Sequence, residues 1–247
     1  MLRRTLGLVT AGSVLAGSVL AACASPTAAP AYRVLVFTRT AGFRHDSIPA
    51  GVKAVRDLGR TGGFGVDATE DPAVFEPANL ARYKVVMFLN TTGDVLDEGQ
   101  QGAFEGYIRG GGGYVGVHAA ADTEDGWAFY GELVGARFAS HPAVQRATVV
   151  VADRTHPATA HVGPTWIRTD EWYNFRTNPR GAVQVLATLD ESTYSGGTMG
   201  ADHPIAWYHG VGAGRAFYTG GGHTVEAYGD AAFRDHLLGG IRYAAGA

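Results

Sequence analysis

Short, almost unbroken apolar runs punctuate the first half of the chain, at 32–38, 84–90 and 113–117. Such runs read as strands buried on both faces, the pattern of a central parallel sheet, rather than as half-exposed strands that alternate. A fourth strand is expected at 64–69. Between the strands the period lengthens. Ile48, Val52, Val55 and Leu58 fall near helical spacing, with Asp46 or Ser47 placed to cap that helix and Pro49 suited to its first turn. Phe75 and Leu80 mark a short helix or turn. A helix over 97–108 puts Phe104, Tyr107 and Ile108 on one side. Strands alternating with helices predict a doubly wound parallel sheet.

Beyond Asp122 the pattern loosens. A helix is expected over 127–134 and strands at 147–151 and 184–189, around an aromatic-rich stretch at 166–175. Runs at 204–209 and 215–219, joined through the glycine-rich 210–214, read as a hairpin. Phe233, Leu237 and Ile241 at i, i+4 and i+8 predict a closing helix over 230–244. Extra antiparallel strands are expected within 123–212, whether as a cap over the sheet edge or as an extension of the sheet.

The first 22 residues read as a secretory signal: Arg3 and Arg4, then an apolar run, then small residues. The run is too short to argue for a membrane span. Leu20-Ala21-Ala22-Cys23 resembles a bacterial lipobox, which implies cleavage before Cys23 and lipidation of that residue. Residues 23–31, rich in alanine and proline, read as a tether that cannot order itself. The domain is then 32–247. The expected location is the cell envelope, anchored outside a bacterial cytoplasmic membrane or at the outer membrane. An ordinary signal peptide would make the protein secreted instead.

Composition narrows the function. Cys23 is the single cysteine, so no internal disulfide forms and no thiol remains for catalysis. The formal net charge is −3, and losing Arg3 and Arg4 with a signal would take it to −5. No basic run is present, which argues against nucleic acid as a partner. Hydrophobic residues make up 46% of the chain, enough for a large core. The 36 glycines follow no fixed period, so no repeat is read.

Parallel strands bring their C-terminal ends to one rim, where open α/β sheets hold ligands. That rim would gather Thr38 with the Arg44-His45 loop, Asn90 to Thr92, His118 with Asp122, and Gly220 to His223. Taken singly, His118 fits a hydrogen-bonded core histidine and Asp122 a helix cap as well as a site. His141 and His156, each followed by proline, read as loop positions. His161 and His236 are given no role. His203 and His209 flank an apolar strand, and of the two His203 is the better ligand contact. Asp170-Glu171-Trp172-Tyr173 sets carboxylates against aromatic rings, which desolvates them, raises the pKa and suits acid–base work. Trp172 and Tyr173 fit sugar stacking and a structural aromatic cluster equally.

Several strings together resemble one family. Thr38-Arg39-Thr40-Ala41-Gly42-Phe43-Arg44-His45, Gly113-Tyr114-Val115-Gly116-Val117-His118-Ala119-Ala120-Ala121-Asp122, Asp170-Glu171-Trp172-Tyr173 and His203-Pro204-Ile205-Ala206-Trp207-Tyr208-His209 are similar to the trehalose-utilisation (ThuA-like) family. So are 214–219, Gly222-His223-Thr224 and 237–243. The resemblance spans about residues 32–245. It implies a flavodoxin-like, class I glutamine amidotransferase-like parallel sheet flanked by helices. In the amidotransferase pattern a cysteine stands at the strand-to-helix elbow, with a His and a Glu after the last strand. Here the elbow holds His118, and His223 and Glu226 follow the last strand. Without a thiol, amidotransferase chemistry is rejected.

What the resemblance implies instead is carbohydrate metabolism, with a disaccharide or glycoside, or its 3-keto derivative, as the small-molecule partner. Two readings stand. In the first, an enzyme performs hydrolysis, elimination or isomerisation by acid–base or metal-assisted chemistry. His118 is base or metal ligand, Asp122 orients it, Glu171 is acid or base, and His223 polarises the enolate. Thr38, Arg44, His45, Trp172, Tyr173 and His203 bind the sugar. Zinc or manganese suits such histidine and carboxylate ligands, although no tight ligand spacing marks a metal site. In the second, the protein binds a sugar at the membrane surface without chemistry.

Overall fold

The computed structural model describes residues 1, 2, 7 and 29–247. Cys23 and most of the signal and tether lie outside the described residues. The chain opens with β1 (Tyr32–Phe37), α1 (Ile48–Gly62), β2 (Phe64–Thr69), α2 (Pro77–Leu80), β3 (Val85–Leu89), α3 (Glu98–Arg109) and β4 (Gly113–Val117). It continues through α4 (Ala128–Val134), β5 (Phe138–Ser140), β6 (Gln145–Val151), β7 (Thr165–Asp170), β8 (Asn174–Phe175), β9 (Gln184–Asp190), β10 (His203–Val211), β11 (Gly214–Thr219) and α5 (Ala231–Ala245). Among the described residues no helix is long and apolar enough to cross a membrane.

A nine-stranded sheet carries the fold, in the order β2-β1-β3-β4-β11-β10-β9-β6-β7. The pairings β1–β2, β1–β3, β3–β4 and β4–β11 are parallel. From β11 outward every pairing is antiparallel. The 123–212 region therefore extends the sheet. Only β5 and β8 leave it, as a small antiparallel pair.

The apolar runs became strands because each is covered on both faces. Val34 to Phe37, Val85 to Leu89, Tyr114, Val115 and Val117 are all buried, against α1, α3 and α5. Helix α1 runs past Leu58 until Gly63 turns left-handed at φ 78°, where glycine carries no Cβ penalty. Asp97 caps α3 with Gln100 in a reciprocal capping box. Ser47 precedes α1 but its side chain does not cap it. Its hydroxyl donates instead to the Gly222 carbonyl at 3.3 Å and accepts from Asn90 Nδ2 at 2.9 Å, tying three strand exits together.

The β10–β11 connection is tighter than the glycine-rich spacing predicts. Pairing runs through Val211 and Gly214, so only Gly212 and Ala213 form the turn. Its consequence is that β11 enters the sheet in parallel beside β4, with its own C-terminal end on the same rim.

Candidate functional site

Five parallel strands deliver their exits to one edge, and three of those exits build the site. After β4 the backbone turns into a 3-10 segment, His118–Asp122. His118 takes a left-handed φ of 49°, a conformation unfavourable for a residue with a Cβ and typical of over-determined functional positions. Its ring is fully buried. After β11, Gly220 to Gly222 bring the chain back over β4. Gly222, at φ 110°, lies so close to Tyr228 and Val117 that a Cβ would meet the tyrosine oxygen at 2.8 Å. His223 follows at the surface of this loop. The β1–α1 loop adds His45. From the antiparallel half, the end of β7 adds Glu171.

These side chains converge. His118 Nε2, His223 Nδ1 and Glu171 Oε2 form a triangle: 3.2 Å between the two histidines, 3.3 Å from His118 to Glu171 and 3.2 Å from His223 to Glu171. His45 places its ring edge-on to both imidazoles, with centroids 5.0 Å away. The donor atoms of all four residues lie within 4.8 Å of one another. His118 Nδ1 meets the Gly220 carbonyl at 2.8 Å. A carbonyl only accepts, so Nδ1 carries a hydrogen, and Nε2 is the nitrogen turned to the triangle.

The supporting shell is buried and charged. Asp170 accepts from the backbone N–H groups of Gly222 at 2.8 Å, His223 at 3.0 Å and Glu171 at 3.1 Å. Arg168 donates to the same carboxylate at 3.2 Å and lies over the Phe233 ring at 4.2 Å. One carboxylate thus fixes the backbone that carries two of the converging side chains.

Electrostatics follow from the packing. Burial works to raise the Glu171 pKa, but hydrogen bonds and charge from His118 and His223 outweigh it and hold the carboxyl at about 2. Glu171 is therefore a carboxylate at neutral pH, the opposite of the raised pKa expected from its aromatic neighbours. Its hydrogen bond raises the His223 pKa in return. Burial, and then repulsion from His118 and His223, push His45 down to about 3, so it stays neutral.

A cavity of about 180 Å³ lies over this cluster, lined by Phe43, His45, Thr92, Asp122, Phe138, His141, Glu171, Tyr173 and His223. His118 forms the layer beneath. Tyr173 packs its ring 4.1 Å from His118 and 4.4 Å from Phe138. Beyond His45 and His223 a second cleft of about 240 Å³ adjoins, sharing Phe43 and reaching Val144, Val225 and Glu226. A larger cavity, about 560 Å³, lies apart along α1. Three of its basic side chains are already paired, Arg44 with Glu70 and both Lys53 and Arg60 with Asp57.

Several expected site residues lie elsewhere. Thr38 and Arg44 belong to that separate cavity. Arg44 points away because Glu70 holds it at 2.6 Å. Trp172 is buried, and its indole N–H donates to the Gln145 carbonyl at 2.9 Å. His203 is fully enclosed, with Nδ1 at 2.8 Å from Glu191 and Nε2 at 2.8 Å from the Tyr173 carbonyl. Asp122 does not orient His118; the Gly220 carbonyl does. Asp122 caps no helix either. It stands at the cavity mouth, open to solvent on one side, and partial burial of its carboxyl raises its pKa. Glu226 is exposed and makes no contact with His223 in the cluster, where Glu171 is the partner. His141, read as a loop position, reaches Glu171 Oε1 with its Nδ1 at 2.9 Å and lines the cavity. A histidine–proline step carries no period, so only its proximity reveals it.

The trehalose-utilisation (ThuA) family model matches residues 33–244, nearly all of the described chain. The chain belongs to the ThuA family. The match takes in every residue of the cluster, and ThuA membership implies carbohydrate metabolism. The fold is similar to that of a ThuA-like protein from Bacteroides uniformis ATCC 8492, with TM-score 0.75, 25% identity, and coverage of 90% of this chain and 94% of that one. A ThuA-like protein from Parabacteroides merdae ATCC 43184 gives TM-score 0.73 at 21% identity, covering 87% and 90%. A β-galactosidase from Bacillus circulans sp. alkalophilus shares the fold over 85% of this chain but 30% of its own, at 14% identity and TM-score 0.57. No match to a curated protein was found.

Proposed function

We propose that this ThuA protein is an enzyme that takes one ring of a glycoside, or of its 3-keto derivative, into the rim cavity and starts elimination there. The observation that carries this reading is the cavity itself, into which Asp122, Glu171 and His223 all open beneath an exposed apolar lip. Phe43, Val144 and Val225 are among the few large hydrophobic side chains left exposed, and all three border the two joined clefts. Exposed apolar groups concentrated at a cleft mark a binding surface, and flat faces such as Phe43 suit the C–H face of a sugar. At about 180 Å³ the inner cavity is smaller than the roughly 300–1,000 Å³ of sites that enclose drug-sized ligands. It suits one ring, with the second ring of a disaccharide in the adjoining cleft.

A 3-keto sugar has an acidic proton at C2. Asp122, a carboxylate whose raised pKa makes it a stronger base, takes that proton. His223, whose pKa is raised by Glu171, donates a hydrogen bond to the developing enolate oxygen. The electron pair then forms the C1–C2 double bond as the C1–O glycosidic bond breaks, and the departing oxygen takes up a proton. Glu171 and His118 hold His223 in place. Membrane anchoring through a lipid on Cys23 belongs to the same proposal and rests on the lipobox resemblance; mass spectrometry of the mature N-terminus tests it.

The full-length protein is to be incubated with 3-keto-trehalose in deuterated buffer and followed by NMR. Exchange at C2 with release of a free sugar is expected, and both should vanish in Asp122→Asn. Saturable binding without exchange or product would make the protein a sugar-binding module. Absence of binding to any 3-keto glycoside or parent disaccharide would overturn the reading.

A further inference from the structure

We infer that His118, His223 and Glu171, with His45 as the fourth donor, form a binding site for one first-row divalent cation, zinc foremost. Three separate observations carry this. The first is spacing. A tetrahedral cation with bonds of about 2.0–2.1 Å sets its ligands about 3.3–3.4 Å apart. The three donor atoms here stand 3.2, 3.2 and 3.3 Å apart.

The second is the convergence of buried donor atoms on one point. His118 spends its Nδ1 hydrogen on the Gly220 carbonyl. Its Nε2 then faces a carboxylate oxygen at 3.3 Å and an imidazole nitrogen at 3.2 Å. A cation at the centre would take one donor atom from each of the three. His45 stands beside them with its Nδ1 buried and without a hydrogen-bond partner in the protein, which leaves it able to serve as a ligand.

The third is the outer layer. Metal-binding histidines pass their second ring N–H to a carbonyl or carboxylate, and ligating carboxylates are themselves hydrogen-bonded. His118 does the first through Gly220, and the second oxygen of Glu171 has the His141 imidazole as an ion-pair partner at 2.9 Å. Three imidazoles and one carboxylate are ligands of borderline character, suited to zinc and also to manganese, iron(II), cobalt and nickel. The donors come from four distant segments, which is why no ligand spacing marks the site in the sequence. This inference deepens the sugar reading, since a cation here would face the same cavity and polarise the same oxygen, but its test needs no sugar.

Purified full-length protein is to be stripped with chelator, dialysed against zinc, manganese or cobalt(II), and measured for bound metal and visible absorption. One metal per chain is expected, with cobalt giving the intense visible bands of a low-coordinate site. Affinity should fall at least about 100-fold in His118→Ala and in the near-isosteric His223→Gln. It should be unchanged in His161→Ala, an exposed histidine outside the site. Circular dichroism melts identify any variant that fails to fold, and His223→Gln is the variant least prone to that. No stoichiometric metal in folded wild-type protein would overturn the inference, as would equal binding by wild type and both ligand variants. Metal binding without sugar turnover leaves this inference standing and removes the sugar reading. Turnover by metal-free protein does the reverse.

Discussion

Tyr173 separates two histidine–glutamate pairs. On one side its carbonyl accepts from His203, whose other nitrogen meets Glu191, with the Tyr194 hydroxyl at 3.0 Å. On the other its ring packs on His118, whose Nε2 faces Glu171. Both histidines are fully buried. Every nitrogen of His203 is taken by the protein, and among the described residues it lines none of the cavities above. His118 has one nitrogen on a backbone carbonyl and the other in the cluster with Glu171 and His223 that lies beneath the cleft, with His141 on the same glutamate. Burial and a carboxylate partner therefore do not distinguish a structural histidine from a working one. A place in a cluster of titratable side chains under a cavity does.

The comparison breaks most readily at the cleft. Asp122→Asn should lower turnover of a 3-keto glycoside by about 10²–10⁴-fold, the usual worth of a positioned base, while melting unchanged. Because a base must be ionised and this carboxyl has a raised pKa, wild-type kcat/KM should climb as pH rises through a value above the ordinary carboxylate range. The residual activity of the variant should lack that limb. An unaltered acidic limb would remove Asp122 from the role.

The next effect belongs to the other side of Tyr173. His203→Ala should cost about 2–4 kcal/mol in urea unfolding, from a cavity and from acceptors left unpaired on Glu191 and Tyr173. His118→Ala should lose sugar turnover while costing less stability. Equal losses of stability in the two variants would erase the distinction drawn between the pairs.

His236 sharpens the baseline for a purely structural histidine. It is buried among Phe217, Phe233 and Trp166, with Nδ1 on the Ala158 carbonyl, and burial lowers its pKa to about 3. The unfolded residue titrates near 6.5. Below that pH the unfolded chain binds a proton the folded chain refuses, so stability is full above about 6.5 and falls with acidification toward 3 by up to about 1.4 kcal/mol per pH unit. His236→Phe should flatten the difference in unfolding free energy between pH 7 and pH 5 by about that much per unit. An unchanged slope would mean that this ring is protonated in the native state. The smallest effect is expected for Ser47→Ala, about 1 kcal/mol, from two hydrogen bonds that tie the rim together.

The parallel half of the fold was legible because its strands announce themselves locally. Apolar runs such as Val34 to Phe37 need no knowledge of their neighbours to be read as buried. The antiparallel half was legible as strands but not as an arrangement. Whether 123–212 caps or extends the sheet depends on β9 pairing between β10 and β6, a long-range choice with no local period. The site shows the same divide. His118 and His223 were found because they follow strands of the parallel half. Glu171 was found by its aromatic neighbours, but its ionisation was misjudged because the two imidazoles that stabilise the carboxylate are distant in sequence. Trp172 looked like a stacking platform until Gln145 supplied its buried acceptor. His141 was passed over because its partner, Glu171, is brought to it only by the fold.

The place of β11 in the sheet has a consequence for the order of synthesis. This strand is the last to leave the ribosome, yet it lies between β4 and β10 and joins the two halves. At about 5–20 residues per second, the parallel strands β1 to β4 are made well before it and must wait with an unpaired edge along β4. His223 and the Gly220 carbonyl that sets the His118 tautomer arrive with the same closing segment. A nascent chain halted near residue 213 would have no site and an open edge ready to pair with another chain, so completion of the sheet and completion of the site are one event.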